Sequence, residues 1–162
     1  MVEDILCSVA RPRKAAGSVS NQLRLEGEVV GLWFEMQARL EGHFTELAAQ
    51  HGLSAVQAKV LLQLRPDGAM TMRAIAAQLQ YDASNLTGVV DRLEEMGAVR
   101  RQPQPHDRRA KGVLLTHEGQ RLRQAFWERL TNRSGPLGRL NSRDLASLRA
   151  LLRSAMGEAR SD

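Results

Sequence analysis

The stretch from Asp82 to Lys111, DASNLTGVVDRLEEMGAVRRQPQPHDRRAK, constrains the fold more than any other part of the chain. Leu86, Val89, Val90 and Leu93 recur at i, i+3, i+4 and i+7, one apolar stripe of a helix turned toward a core. At about 100° per residue, Ser84, Thr87, Gly88, Asp91 and Arg92 fall on the opposite side or its flank. The first two turns of that outward face carry small, polar, uncharged groups instead of the usual mixture of lysine and glutamate. Hydroxyls and amides reach base edges and phosphates, and a glycine lets another surface come close. Asp82 is the expected N-cap, and Gly97 follows the last apolar position, where a left-handed stop is expected.

The residues after Gly97 change character. Val99 to Gln102 reads as a short strand and Gly112 to Leu115 as its partner, with two prolines, a histidine and HDRRAK between them. From Ala98 to Lys111, five basic residues (Arg100, Arg101, Arg108, Arg109, Lys111) stand against one acid, Asp107, a net charge of +4. A polar-fronted helix followed by a basic hairpin is the arrangement of a winged helix-turn-helix. The helix would enter the major groove, and the hairpin would lie on phosphates or dip into the adjacent minor groove.

Three patterns sharpen this reading. Val90-Asp91-Arg92-Leu93-Glu94-Glu95-Met96-Gly97 has the form VDRLE-x-x-G, Asp107-Arg108-Arg109 is a DRR wing, and Val113-Leu114-Leu115-Thr116-His117-Glu118-Gly119 has the form V-x-LT-x-x-G. In this order and spacing they resemble the DNA-binding core of the MarR family of bacterial transcription regulators. The resemblance extends more loosely from about residue 22 to about residue 157 and leaves out the first twenty residues. It implies a dimeric, ligand-responsive regulator of DNA, most often a repressor. It also implies that Asp107 orients a wing arginine through a charge-assisted bond.

At 162 residues the chain has the size of one domain, long enough to bury a real core. Its net charge is +5, carried almost entirely by arginine, with twenty arginines to three lysines. Arginine richness also follows from a GC-rich genome, so location decides more than the total. Most of the surplus lies in the hairpin, where nucleic acid would sit. A single cysteine, Cys7, excludes an intramolecular disulfide framework. No apolar run approaches a membrane span, and no basic region precedes an apolar leader. The expected compartment is the cytoplasm.

The expected fold is mainly α with a small β-hairpin, a winged helix-turn-helix domain flanked by N- and C-terminal dimerisation helices. Residues 1–20 form an N-terminal arm with a small basic cluster (Arg11, Arg13, Lys14), read as mobile or as an extra contact to DNA or a partner. Residues 21–50 form a long helix whose stripe runs Leu25, Val29, Leu32, Trp33, Met36, Leu40, Phe44, Leu47, too long for one small core. Residues 54–115 form the DNA-binding lobe, opened by the capping box Ser54-Ala55-Val56-Gln57. Thr71 caps a helix over Met72 to Leu79, the first of the helix-turn-helix pair, with Ala76 and Ala77 small enough for a close crossing. Residues 116–160 form two further dimerisation helices. Thr116 caps the first, over about Glu118 to Asn132, and Asn141 or Ser142 the second, whose stripe (Leu145, Leu148, Leu151, Leu152, Met156) is too apolar to leave in water. The winged helix is already a complete core, so these stripes predict a homodimer. A dimer in turn predicts a pseudo-palindromic operator in double-stranded DNA, with half-sites roughly 10 bp apart.

The candidate DNA-binding residues are Thr71, Met72, Ser84, Asn85, Thr87, Gly88, Arg92, Asp107, Arg108 and Arg109. Trp33, Met36 and Leu40, together with Trp127, leave two readings open. One is ordinary core or dimer packing. The other, implied by the resemblance, is a site for a small-molecule effector. The four histidines lack the close spacing of a metal site, and forcing Glu41, His43 and Glu118 together has no second histidine to support it. No cofactor, metal or membrane partner is expected. No nucleophile motif, phosphate loop or convincing carboxylate pair supports an enzyme; Asp91, Glu94 and Glu95 read as a solvated helix end, with Asp91 free to fix Arg92 or a neighbouring basic group and set its geometry for DNA. Redox sensing by Cys7 is disfavoured by its place ahead of the first helix and by its distance in sequence from Tyr81. The competing function is a winged-helix protein-interaction module without specific DNA binding. Exposed apolar residues on the helix front would mark it.

Overall fold

The elements follow one another as α1 (Lys14–Gln50), α2 (Ala55–Gln63), β1 (Met70–Thr71), α3 (Met72–Leu79), α4 (Ala83–Glu95), β2 (Val99–Pro103), β3 (Lys111–Leu115), α5 (His117–Leu130) and α6 (Ser142–Ala155). The structure is a computed structural model that describes residues 14–103, 111–132 and 135–157. The expected wing tip, including Asp107, Arg108 and Arg109, lies outside the described residues. So do Cys7, Arg11 and Arg13 of the N-terminal arm.

The chain divides into two units, one up to Arg39 and one from Leu40 onward. The described part of the first is helix throughout. It begins at Lys14, ahead of the expected Asn21. The apolar stripe that marked the helix starts only at Leu25, so periodicity gave no sign of the residues ahead of it. The ion pairs Arg24–Glu28 (3.8 Å) and Glu35–Arg39 (3.7 Å) lie along its surface at i,i+4. Leu25, Val29, Leu32 and Trp33 are all more than half exposed in the single chain.

The second unit holds the core. Leu86, Val90 and Leu93 of α4 are fully buried, with Val89 half-buried beside them. They meet Ile75 of α3, Val60 and Leu61 of α2, and Val99 and Val113 of the sheet in one cluster. Phe126 of α5 joins that cluster with its ring edge-on to Phe44 at 5.2 Å and to His51 at 5.6 Å. The sheet is antiparallel in the order β1-β3-β2, with Met70 opposite Val113 and Val99 opposite Leu115. Met70 thus adds a third strand to the hairpin.

Local signals set the element boundaries. Ser54 and Gln57 form a reciprocal capping box, with Ser54 N donating to Gln57 Oε1 (2.7 Å) and Gln57 N to Ser54 Oγ (3.2 Å). Thr71, Thr116 and Asn141 accept N-cap bonds from Ala74, Gly119 and Asp144. Asp82 departs from expectation. It occupies the N-cap position of α4 with extended backbone, but its carboxylate makes no cap bond. Gly97 is left-handed (φ +71°) and reverses the chain from α4 into β2, as its residue type predicts. Gly119 serves a different need, because a Cβ there would stand 1.8 Å from the Ala98 carbonyl oxygen. Thr116 Oγ1 donates to the Gly97 carbonyl at 2.6 Å, so the start of α5 is pressed against the reversal that follows α4. Within α6, by contrast, no residue is buried. No helix among the described residues is long and apolar enough to cross a membrane.

Candidate nucleic-acid interface

The helix-turn-helix is built on a tight reversal. Gln80 ends α3 in the left-handed region (φ 56°), alone among the described non-glycine residues. Its backbone N–H bonds back into α3, and Tyr81 N reaches the Ala76 carbonyl at 3.0 Å. These bonds let α4 start three residues later on a new axis. Ala76 is buried, as a close helix crossing requires. Ala77 is exposed and takes no part in it.

On α4 the candidate residues Ser84, Asn85, Thr87, Gly88 and Arg92 are all exposed and share the face opposite Leu86, Val90 and Leu93. Thr87 Oγ1 donates to the Ala83 carbonyl at 3.4 Å, a long bond that leaves the hydroxyl free to exchange partners. A Cβ at Gly88 would meet nothing within 4 Å, so no packing inside the described chain requires a glycine there. Arg92 pairs with Glu95 at 2.8 Å, both side chains about two-thirds exposed. An ion pair so open to water contributes about 0–1 kcal/mol and yields readily to a phosphate. Thr71 and Met72, at the start of α3, are half-buried, and the Thr71 hydroxyl is already engaged as a cap. Trp33 and Leu40 are exposed and Met36 is half-buried on α1.

Two features go beyond the sequence reading. Arg73, the second residue of α3, is exposed at the helix start, where its charge adds to the positive end of the helix dipole. Its position beside the Thr71 cap was the signal available. The second feature sharpens an expectation. The basic group that Asp91 fixes is Arg101, and Glu94 shares it, so these two carboxylates, though still partly exposed, are engaged and Arg101 is not a free wing charge. Arg101 Nη2 lies 2.6 Å from Asp91 Oδ1 and Nη1 lies 2.6 Å from Glu94 Oε2, while Glu94 Oε1 also accepts the Arg101 backbone N–H at 2.9 Å. Burial disfavours the guanidinium's charge, but its hydrogen bonds and attraction to Asp91 and Glu94 outweigh that and raise its pKa above the ordinary value. The reversal at Gly97 brings β2 back along the end of α4, and alternation along the strand sends Arg101 to the helix and Arg100 to solvent. The sequence count of the hairpin stands, but one of its charges is matched by acids just outside the counted window.

Among the described residues, no three histidine, cysteine, aspartate or glutamate side chains come together as a metal site. Glu41 pairs with Lys59 at 2.9 Å and Glu118 with Arg121, so neither joins His43.

Comparison with known proteins points to one family. The sequence profile described as the MarR family matches residues 53–111, which span α2 to the start of β3. PecS, an HTH-type transcriptional regulator of Dickeya dadantii, is 30% identical over 128 residues, covering 76% of this chain and 77% of PecS. YfiV, an HTH-type transcriptional regulator of Bacillus subtilis, is 35% identical over 77 residues, and the chain spans only 48% of its length. Among solved structures, CouR from Rhodococcus jostii bound to p-coumaroyl-CoA superposes with a TM-score of 0.64 at 29% identity, covering 81% of this chain and 93% of CouR.

Proposed function

The chain belongs to the MarR family, and on that premise we propose that it is a sequence-specific, dimeric DNA-binding transcription regulator, a ligand-responsive repressor. The observation that carries the reading is the outward face of α4. It presents Ser84, Asn85, Thr87 and Gly88, exposed, uncharged and small, on a helix whose other face is locked into the core. Such a face reads base edges in the major groove. Arg92 exchanges Glu95 for a flanking phosphate. Thr71 and Met72 set the start of α3 against the backbone, and Asp107, Arg108 and Arg109 form the wing that follows the groove. A protein-docking face would carry exposed apolar residues at these positions, and the outward face of α4 has none.

The second copy is supported by two unpartnered apolar faces. On α1, Leu25, Val29, Leu32 and Trp33 are exposed, and so are Leu145 and Leu151 of α6 and Met156 at its C-cap. Pairing through α1, α5 and α6 covers them and sets two recognition helices on half-sites about 10 bp apart. The effector is a small molecule taken at Trp33, Met36 and Leu40 of α1, a role supported by their large apolar surface and by the p-coumaroyl-CoA that the similar CouR binds. Binding would shift the dimer between forms whose recognition helices do and do not fit the half-site spacing. The chain works in the cytoplasm and catalyses nothing.

Fluorescence anisotropy against the DNA upstream of the protein's own gene, with scrambled DNA as control, tests this at two salt concentrations. Preferential binding to the upstream DNA that weakens as salt rises is the expected result. Absence of binding to either duplex at low salt would overturn it.

A further inference from the structure

We propose that Arg101 is a positioning residue for DNA recognition. It fixes the wing to the recognition helix and thereby sets sequence specificity without touching DNA. The inference rests on the DNA-binding reading above and deepens it. Its basis is the contrast between two arginines ten residues apart or less. Arg92 and its single partner Glu95 are 65% and 63% exposed. Arg101 is 21% exposed and is gripped by two carboxylates from successive turns of α4. A phosphate would have to displace both to reach it, and would approach a cluster of two acids and one base.

Glu94 has a second task. Among the described residues β2 is an edge strand, paired only with β3. The Arg101 N–H therefore points away from the sheet, and Glu94 accepts it at 2.9 Å. One carboxylate thus holds both the backbone and the side chain of residue 101, and Asp91 holds the other end of the guanidinium fork. Three charge-assisted bonds, two of them across a planar five-donor group, define an angle as well as a distance. The hairpin continues beyond this clamp, and each further strand residue lengthens the lever by about 3.3 Å. A small tilt at Arg101 becomes a displacement of the wing relative to the groove that α4 occupies.

Three variants separate positioning from contact: Arg101→Gln, Arg101→Lys, and the double variant Asp91→Asn with Glu94→Gln. The probe is the duplex that the wild-type protein enriches from a random library, measured against a scrambled duplex over a series of salt concentrations. Arg101→Gln is expected to lose about tenfold in specific affinity with little change on scrambled DNA, and to keep the wild-type salt slope. Arg101→Lys restores the charge without the fork and is expected to recover only part of the loss. The double variant is decisive in sign. It makes the interface more positive by two charges and releases Arg101, so a contact role predicts tighter binding to every duplex. Positioning predicts a lower ratio of specific to non-specific affinity. Retained binding to scrambled DNA shows that each variant is folded. Parallel losses on both duplexes with a salt slope reduced by about one would make Arg101 a phosphate contact and overturn the proposal. An unchanged or higher ratio of specific to non-specific affinity in the double variant would overturn it as well. A wild-type protein that enriches no sequence would defeat the DNA-binding reading itself, and this inference with it.

Discussion

Helices α4 and α6 are almost equal in length, 13 and 14 residues, and both carry leucine and its relatives at steps of three and four. On α4 the stripe is sealed, with Leu86, Val90 and Leu93 fully buried. On α6 no residue is buried, and Leu151 is 69% exposed. Their ends are reversed in character. Asn141 caps α6 through a 3.0 Å bond from Asp144 N, Asp144 lies in the first turn, and Arg153 lies in the last. Asp82 at the head of α4 makes no side-chain cap bond, and the first turn of α4 holds no acid. Packing holds α4, while local capping and charge hold α6 until something covers its apolar face. The difference separates a stripe buried within one chain from a stripe left exposed on it, although periodicity alone scores the two alike.

The largest effect is expected on the sealed side. A methyl at position 119 would collide with the Ala98 carbonyl, a backbone atom with no rotamer to escape into. Gly119→Ala should destabilise the protein by about 4 kcal/mol, at the upper end of single substitutions. Urea unfolding checks this, and a change under about 1 kcal/mol would show that the α5 start is free to shift. Next comes Leu86→Ala, expected to cost about 3 kcal/mol at every protein concentration because its cavity lies inside one chain. The matching change on α6, Leu151→Asp, should leave the cooperative unfolding of the lobe intact and move the sedimentation of the protein from dimer to monomer. A Leu151→Asp protein that remains dimeric would remove α6 from the interface and weaken the comparison at its root.

Legibility in the sequence follows the same division. The stripe of α4, the Ser54–Gln57 box, the Thr71 and Thr116 caps and the stop at Gly97 all depend on residues within four positions of one another, and each is found where the pattern places it. The two hairpin strands, Val99 to Gln102 and Gly112 to Leu115, follow from the turn signals between them, and both lie in the sheet. The clamp on Arg101 was legible only in part: Asp91 was expected to fix Arg92 or a neighbouring basic group, but that the group is Arg101, and that Glu94 shares it, depends on the angle at which Gly97 returns the chain. Charge counted along the hairpin missed two acids that fold onto it from the preceding helix. The early start of α1 was hidden for a different reason. Helix can extend past its apolar stripe on backbone propensity, and periodicity reports burial instead of conformation. The exposed position of Arg73 follows from the α3 pattern, but its helix-start location gains meaning only once α4 is seen beside it.

The smallest effects test the ends of the two helices. Asn141→Ala removes a side-chain acceptor bonded at 3.0 Å and should cost about 1 kcal/mol, seen as a loss of helical circular dichroism on α6 before the lobe unfolds. Asp82→Ala removes a side chain that accepts no cap bond and should change stability by no more than about 0.3 kcal/mol, well below the usual N-cap effect. The two substitutions are formally alike, each replacing a good N-cap residue by alanine ahead of an amphipathic helix. Propensity tables predict nearly the same loss for both. A loss near 1 kcal/mol for Asp82→Ala would mean that the carboxylate does cap α4, and that α4 draws on its end as well as its packing. Near-zero loss, together with the full effect at Asn141, would show that a helix with a sealed stripe can dispense with its cap. That freedom matters at this place in the chain, because it leaves the amides at the start of the recognition helix open to a phosphate.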